Sequence, residues 1–260
     1  MSVFRFRRFS VENVESAMKV NTDGVLLGAL MTVRSSDRKC LDVGTGTGTI
    51  ALMAAQRLSD ITVRESAEGI APSGAGVRDV SAVIFGIDID GASAREAGRN
   101  FAASPWPGML AAVHSSLEDF AKTPECDGFD HVFSNPPYYD LSLAAPDFRR
   151  NTARHTGSLS YRELLSFSAD FLSGTGILSV ILPADTELWL FRHARMSGLY
   201  PFRIVRIRTT GKKKPSRIVA EFSRVRPERD SVEEELLTIH DGPSYTSGYA
   251  EVMKDFYLDI

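Results

Sequence analysis

This sequence predicts a doubly wound α/β fold with a mostly parallel, seven-stranded sheet and helices on both faces. Short apolar segments alternate with segments whose apolar residues recur at helical spacing, which is the pattern of such a sheet. Glycine-rich or polar motifs follow several of the apolar segments, at the strand ends where open α/β sheets bind ligands. The predicted strands begin near Lys39, Ala82, Leu110, Phe129, Gly176, Pro201 and Arg217.

The composition suits one large domain. The chain has 260 residues, of which 43% are hydrophobic, enough for a full core. Its net charge of -3 argues against a generally basic nucleic-acid coat, so any contact with RNA or DNA has to come from local patches. Cys40 and Cys126 provide no disulfide framework, and no apolar stretch is long enough to cross a bilayer. We expect a cytoplasmic protein.

Residues 1–33 are predicted to form a small amino-terminal cap that packs on a main domain of residues 34–260. Phenylalanine and arginine alternate from Val3 to Arg8, which is the period of a half-buried strand and favours a short hairpin. Thr22 or Asp23 can then cap a helix that ends near residue 33.

A glycine-rich turn follows the first strand of the main domain and leads into a helix. It contains Asp42, Gly44, Gly46 and Gly48, an arrangement that lets a ligand approach the backbone and the helix amino terminus. Dinucleotide enzymes share the glycine pattern, but a carboxylate at Asp42 suits a cationic or amino-bearing ligand and repels a pyrophosphate. The charge therefore favours S-adenosylmethionine over a dinucleotide.

Two further strand ends provide candidate cofactor contacts. Asp88 ends the second strand, where a carboxylate can hold both ribose hydroxyls; a solvated strand end is the alternative. The third strand leads to Ser116 and Leu117, a segment that can meet the adenine of the cofactor or only begin a turn. Before these strands, the charged, glycine- and proline-containing segment Ser59–Ser81 is predicted to be an inserted surface loop.

The motif Asn135-Pro136-Pro137-Tyr138 follows the fourth predicted strand and is the candidate catalytic turn. An exocyclic amino group of adenine, or an amide nitrogen, is a poor nucleophile because its lone pair is delocalised into the ring or the carbonyl. The Asn135 side-chain carbonyl and the Pro136 backbone carbonyl can accept its two N–H groups and turn the lone pair outward. The prolines stiffen the turn, and Tyr138 offers a face on which a planar substrate stacks. An Asx-Pro turn with an aromatic lid is the structural alternative.

Two basic segments are candidates for contact with a phosphate backbone. Arg154 and His155 lie in the loop after the catalytic turn, and direct contact with a phosphate is favoured there over general-base catalysis. The span Arg203–Arg217 contains seven arginines and lysines, including Lys212, Lys213 and Lys214, and no acidic residue. A solvated hairpin tip is the alternative for this span.

In order and spacing, the Asp42–Gly48 turn, Asp88 and the Asn135 motif resemble a Rossmann-like class I S-adenosylmethionine-dependent methyltransferase of the amino-methylating branch. The segment Thr22–Gly28 and the pair Arg154-His155 further resemble the bacterial tRNA1(Val) adenine-37 N6-methyltransferase family. The resemblance implies methyl transfer to N6 of adenine 37 in a tRNA anticodon loop, without a metal, and implies that Thr22 and Asp23 lie beside the cofactor. The chain departs from many relatives at Ser116, where an acid is expected.

Other functions remain open at this stage. The same catalytic motif suits N5-methylation of a protein glutamine amide or N6-methylation of DNA adenine, because all three acceptors are planar nitrogens. A cofactor-binding RNA chaperone or scaffold without activity is the alternative from a different class. We expect a monomer with tRNA as its partner and no membrane association.

Overall fold

The computed structural model describes residues 2–68, 82–137, 159–228 and 231–260. The strands are β1 Val3–Arg5, β2 Ser10–Glu12, β3 Lys39–Val43, β4 Val83–Asp88, β5 Leu110–His114, β6 Phe129–Ser134, β7 Leu172–Pro183, β8 Tyr200–Thr210, β9 Arg217–Ser223, β10 Glu233–Asp241 and β11 Ser244–Tyr245. The α-helices are α1 Thr22–Leu30, α2 Thr49–Ala67, α3 Gly91–Ala102, α4 Leu117–Phe120, α5 Tyr161–Phe171, α6 Glu187–Met196 and α7 Ser247–Met253. Short 3-10 turns occur at Pro107–Met109 and Ala184–Thr186.

Over the described residues, the main sheet has nine strands in the order β11-β10-β8-β9-β7-β6-β3-β4-β5. Strands β3 to β7 are mutually parallel, and β9 is antiparallel to both of its neighbours. The predicted count of seven strands is therefore wrong by two, although the mostly parallel α/β architecture is correct. The additional strands are β10, which runs parallel to β8, and the short β11.

The sequence pattern does not predict β10, because this strand begins with the acidic run Glu233–Glu235. Three consecutive glutamates predict a solvated segment, but here they begin a strand whose register places Glu233 beside Arg203 and Glu235 beside Val205. The strand pairs with β8 along its length, and Arg203 and Arg206 of β8 pair with its glutamates, contacts that only pairing between distant segments can provide.

Apolar residues cover both faces of the sheet, as the alternation of strands and helices predicts. On β6, Val132 belongs to the core formed with α5 and α6, whereas Phe133 belongs to the core formed with α1 and α2. On β3, Cys40 belongs to the core with α1 and α2, and Leu41 to the core with α5 and α6. Successive side chains of a strand point to opposite faces, so a parallel strand buried on both sides is apolar throughout.

The amino-terminal hairpin of β1 and β2 packs on the main domain. Phe6 and Phe9 are buried and stack with ring centroids 4.5 Å apart. The Arg7 amide donates to the carbonyl of Phe256, so the chain's two ends meet. A boundary at residue 33 stays a prediction.

Two predicted element boundaries differ in the structure. Helix α1 is capped by Asn21, whose side chain accepts from the Gly24 amide, and not by Thr22 or Asp23. Helix α2 continues to Ala67, so the surface loop predicted to begin at Ser59 is helical over its first residues. The remainder of that predicted insertion, residues 69–81, lies outside the described residues. In the part of the chain that the structure describes, no helix combines the length and apolar character needed to span a membrane.

Candidate active site

The carboxyl ends of β3, β4 and β6 lie side by side because these strands are adjacent and parallel. A cavity of 670 Å³ opens there, which we call the strand-end cavity. The described residues lining it are Ser16, Ala17, Met18, Val43, Gly44, Gly46, Ile87, Asp88, Ile89, Asp90, Ser93, Ser115, Ser116, Leu117, Glu118, Ala121, Asn135, Pro137, Leu159, Glu163, Ser166, Phe167, Asp170 and Phe171. It therefore unites the glycine turn, the predicted acid and the catalytic motif.

The glycine turn approaches the strand-end cavity through Gly44 and Gly46. Gly46 and Gly48 have φ values of 56° and 82°, a left-handed conformation that favours glycine. Gly48 does not line the cavity; it caps α2, and a Cβ there would lie 2.4 Å from the ring of Phe101. Gly48 thus permits close packing of the turn, while the other two glycines bring backbone to the cavity.

Asp42 lies behind the turn and does not line the cavity. Its Oδ2 accepts from the Thr45 hydroxyl at 2.8 Å and from the Ala51 amide at 3.2 Å, which ties the turn to the first turn of α2. Oδ1 has no hydrogen-bond partner among the described residues. Burial raises the pKa of Asp42 to about 7. The structure thus shows a structural role for Asp42, while its role in holding an amino-bearing ligand stays a prediction.

Asp88 ends β4 and lines the cavity, as predicted. Its Oδ2 accepts from the Gly46 amide at 2.9 Å and its Oδ1 from the Asp90 amide at 2.8 Å, so the carboxylate is held rigidly at the mouth of the glycine turn. Burial raises the pKa of Asp88 above its ordinary value. Asp90 caps α3 through the amides of Ala92 and Ser93.

Ser116 and Leu117 also line the cavity. The Ser116 hydroxyl is the cap of α4, accepting from the Asp119 amide at 3.0 Å and donating to the Asp119 carboxylate at 2.8 Å. Its position agrees with a cofactor contact, but its hydroxyl already serves the local turn.

The catalytic motif begins where β6 ends. The Ser134 hydroxyl donates to the Val43 carbonyl at 2.7 Å, which fastens the end of β6 to the end of β3. Asn135 and Pro137 line the cavity, whereas Pro136 is buried and is not among the described lining residues. The Asn135 amide nitrogen Nδ2 donates to Asn21 Oδ1 at 3.4 Å and lies 3.9 Å from the sulfur of Met18. Three predicted substrate contacts, Tyr138, Arg154 and His155, lie outside the described residues.

The segment Ser16–Met18 forms one wall of the strand-end cavity, a wall that the sequence motifs do not predict. Helix α3 holds this segment: the Glu96 carboxylate accepts from the amides of Val14, Glu15 and Ser16 at 2.5 to 3.0 Å. Burial opposes ionisation, but these hydrogen bonds lower the pKa of Glu96 below its ordinary value.

A signal for this wall does exist in the sequence. Ser93, Glu96 and Asn100 are spaced by three and four residues, so they form a polar stripe on one face of α3. All three are buried, and Asn100 bonds the backbone of Glu12 in both directions. The opposite wall comes from α5, where five residues at helical spacing line the cavity: Glu163, Ser166, Phe167, Asp170 and Phe171.

Thr22 and Asp23 lie elsewhere. They line a second cavity of 360 Å³, on the side of α1 toward β8 and β10, and not the strand-end cavity. Asp23 Oδ2 accepts from Arg217 Nε at 2.8 Å. Their neighbour Asn21 contacts Asn135, and the placement of Thr22 and Asp23 beside the cofactor stays a prediction.

The basic span Arg203–Arg217 divides into two parts. Lys212, Lys213 and Lys214 lie in the exposed turn between β8 and β9. The arginines on the strands are engaged: Arg203 bonds the Glu221 and Glu235 carboxylates, and Arg206 bonds Glu187 and Glu234. The turn lysines thus retain the exposed, basic character that the sequence pattern assigned to the whole span, whereas Arg208 on β8 donates to the Thr238 hydroxyl.

Comparison with known proteins identifies the family. No protein-family model matches the chain. A tRNA1(Val) (adenine(37)-N6)-methyltransferase of Bacteroides fragilis is 37% identical over 257 residues, which cover 99% of this chain and 98% of that protein. Proteins with the same name from Flavobacterium johnsoniae and Photobacterium profundum are 35% and 33% identical, again over 99% of this chain. The chain belongs to the tRNA1(Val) (adenine(37)-N6)-methyltransferase family.

Solved structures support the fold. A predicted O-methyltransferase from Agrobacterium tumefaciens superimposes with a TM-score of 0.58 at 16% identity, covering 90% of this chain and 96% of that one. A T. thermophilus 16S rRNA N2 methyltransferase in complex with AdoMet and guanosine superimposes with a TM-score of 0.53 at 19% identity, over 86% of this chain and 50% of that one. The family and the Rossmann-like class I methyltransferase fold predicted from the sequence are confirmed.

Proposed function

We propose that this chain transfers the methyl group of S-adenosylmethionine to N6 of adenine 37 in tRNA1(Val). Membership in the family confirms the sequence-based prediction of an S-adenosylmethionine-dependent tRNA adenine-N6 methyltransferase. The observation that carries the mechanism is the position of Asn135 on the same cavity as the glycine turn and Asp88. A monomeric state and a cytoplasmic location stay predictions.

The charge of the strand-end cavity fits this cofactor. Its described lining contains five carboxylates, those of Asp88, Asp90, Glu118, Glu163 and Asp170, and no lysine or arginine. Such a lining attracts a sulfonium and an ammonium group and repels a pyrophosphate. The volume of 670 Å³ lies within the usual range for cofactor sites. By their place on the lining, the residues that would hold the cofactor are Asp88, Gly44, Gly46 and the Ser116–Leu117 segment.

When bound, S-adenosylmethionine supplies a methyl group activated by its positive sulfur. The chain's own contribution is to position the acceptor nitrogen, which is worth several powers of ten in rate. In the proposed geometry Asn135 Oδ1 accepts one N–H of the adenine amino group and the Pro136 carbonyl accepts the other. The nitrogen lone pair then faces the methyl group. Tyr138 would stack on the base, as the sequence predicts.

Contacts around Asn21 support this role because they set the direction of the Asn135 amide. Asn21 Nδ2 donates to the Lys19 carbonyl at 3.0 Å, and Asn21 Oδ1 accepts from the Gly24 amide at 2.9 Å. Asn21 therefore presents an acceptor to Asn135, and Asn135 must turn Nδ2 toward it. Its Oδ1, the acceptor that the substrate amino group needs, then points the other way. Asn21 is thus proposed as a positioning residue.

Methyl transfer to defined RNA tests the proposal. The purified chain is incubated with labelled S-adenosylmethionine and an unmodified tRNA1(Val) transcript, with the same transcript carrying guanine at position 37 as the matched control. Label recovered as N6-methyladenosine from the first transcript alone is the expected result. Equal label in both transcripts would contradict the position, and no label in either would contradict tRNA as the substrate.

A further inference from the structure

We propose that the second cavity, here called the α1–β10 cavity, is a subsite for a nucleotide of the substrate RNA next to the target adenine. The inference rests on the proposed function, since it assumes an RNA substrate. The described lining residues are Thr22, Asp23, Leu26, Ile207, Thr209, Ser216, Arg217, Ile239, His240, Tyr245, Tyr249 and Tyr257.

The α1–β10 cavity lies at the same edge of the sheet as the catalytic motif. Strand β7 runs parallel to β6 and ends at Pro183, which is paired with Arg217 at the start of β9. The amino terminus of α1 lies between the two sites, because Asn21 contacts Asn135 while the next two residues line the α1–β10 cavity. An RNA chain whose adenine reaches Asn135 can therefore place a neighbouring nucleotide here.

The lining suits a nucleotide. His240 and Tyr245 stack with ring centroids 5.0 Å apart and an interplanar angle of 22°, and Tyr245 is also in contact with Tyr249. Tyr245 is 45% exposed, so it offers a face on which a base can stack. Hydroxyl groups of Thr209 and Ser216 provide donors and acceptors for a sugar or base edge. The volume of 360 Å³ is small, within the range of ligand sites.

The charges around the two cavities determine which of them can accept the RNA backbone. The strand-end cavity is lined by five carboxylates and repels phosphates. The α1–β10 cavity adjoins the opposite charge: Thr210 is paired with His240, and the turn that follows Thr210 carries Lys212, Lys213 and Lys214. These lysines are exposed, and the one carboxylate on the described lining of the α1–β10 cavity, that of Asp23, is paired with Arg217. A backbone leaving the target adenine is therefore drawn toward the α1–β10 cavity.

The test measures RNA binding and methyl transfer separately. Tyr245→Ala is compared with Tyr245→Phe, which keeps the ring, and with Trp189→Ala on α6, which removes an aromatic side chain of similar exposure, 44%. Binding of unmodified tRNA1(Val) transcript is measured directly, without cofactor turnover. We expect Tyr245→Ala to weaken binding about tenfold, while the other two variants stay within twofold of the unaltered protein. His240→Ala, which removes the stacking partner, is expected to weaken it about threefold.

The outcomes separate this inference from the proposed function. Unchanged tRNA affinity in Tyr245→Ala and His240→Ala overturns the subsite, even where the unaltered protein methylates tRNA fully. Weakened binding in both, with unchanged affinity for S-adenosylmethionine and an unchanged Tm, supports the subsite whether or not methyl transfer is observed. A fall in cofactor affinity equal to the fall in RNA affinity also overturns it, since that pattern indicates general damage to the fold.

Discussion

The strand-end cavity and the β8–β9 region, the basic span Arg203–Arg217, are both rich in charge. Sequence patterns predict which charged residues face a ligand in the first of them but not in the second. In the cavity, Asp88 and Asn135 lie at the carboxyl ends of β4 and β6, which flank β3 in parallel and so end at the same edge of the sheet. In the β8–β9 region, the partners of Arg203 and Arg206 come from α6, β9 and β10. A charge is placed by local sequence, but whether it is available to a ligand depends on distant residues.

The largest expected effect comes from a substitution in the strand-end cavity. Asn135→Ala removes the acceptor for the adenine amino group, so kcat is expected to fall about 10³-fold, the size seen when one positioned polar group is lost from an active site. Cofactor affinity should stay within twofold, because Asp88 and the glycine turn are untouched. Single-turnover kinetics and calorimetry check the two quantities. Parallel losses in both would mean that Asn135 supports the fold.

The next effect tests the β8–β9 region as structure. Arg203→Ala leaves the Glu221 carboxylate buried without its counter-ion, which is expected to lower the free energy of unfolding by about 3 kcal/mol. Arg5→Ala, at an exposed arginine of β1, is the matched control and should change it by less than about 0.5 kcal/mol. Denaturant titration measures both. If Arg203→Ala instead keeps full stability and loses only RNA affinity, the arginine belongs to the binding surface after all.

The lysines of the β8–β9 turn provide the contrasting test. Replacing Lys212, Lys213 and Lys214 with alanine is expected to weaken tRNA binding 10- to 100-fold at about 0.1 M salt and to reduce the salt slope by about 2, because three phosphate contacts are lost. Stability should be unaffected, as the side chains are exposed. Binding isotherms over a salt series check the slope, with Lys122→Ala, at an exposed lysine paired with Glu118 and Asp119, as control. An unaltered slope would remove the turn from the RNA interface.

The smallest expected effect concerns how Asn21 orients the Asn135 amide in the strand-end cavity. Asn21→Ser keeps a helix cap but is too short to orient the Asn135 amide, so kcat is expected to fall about tenfold with little change in Tm. Asn21→Asp keeps an acceptor for Asn135 Nδ2 and should retain most of the activity. Comparing kcat and Tm for the two variants separates positioning from capping. Equal activity in both would show that the amide direction is set elsewhere.

The sequence by itself determined the alternation of strands and helices, the glycine turn, and the strand ends that carry Asp88 and Asn135. These features follow from apolar periodicity, from backbone chemistry and from connectivity, all of which act over a few neighbouring residues. The same local chemistry predicted the exposed lysine turn. The function followed because the motifs keep the order and spacing of the family.

Only the tertiary structure decided the remaining features. Asp42 lies buried behind the glycine turn, where it accepts from the Thr45 hydroxyl and the Ala51 amide, and Thr22 and Asp23 line a different cavity from Asn135. Strand β10 pairs with β8, whose arginines lie beside its glutamates. Each outcome depends on the burial and charge of residues far apart in the chain, which no local pattern contains.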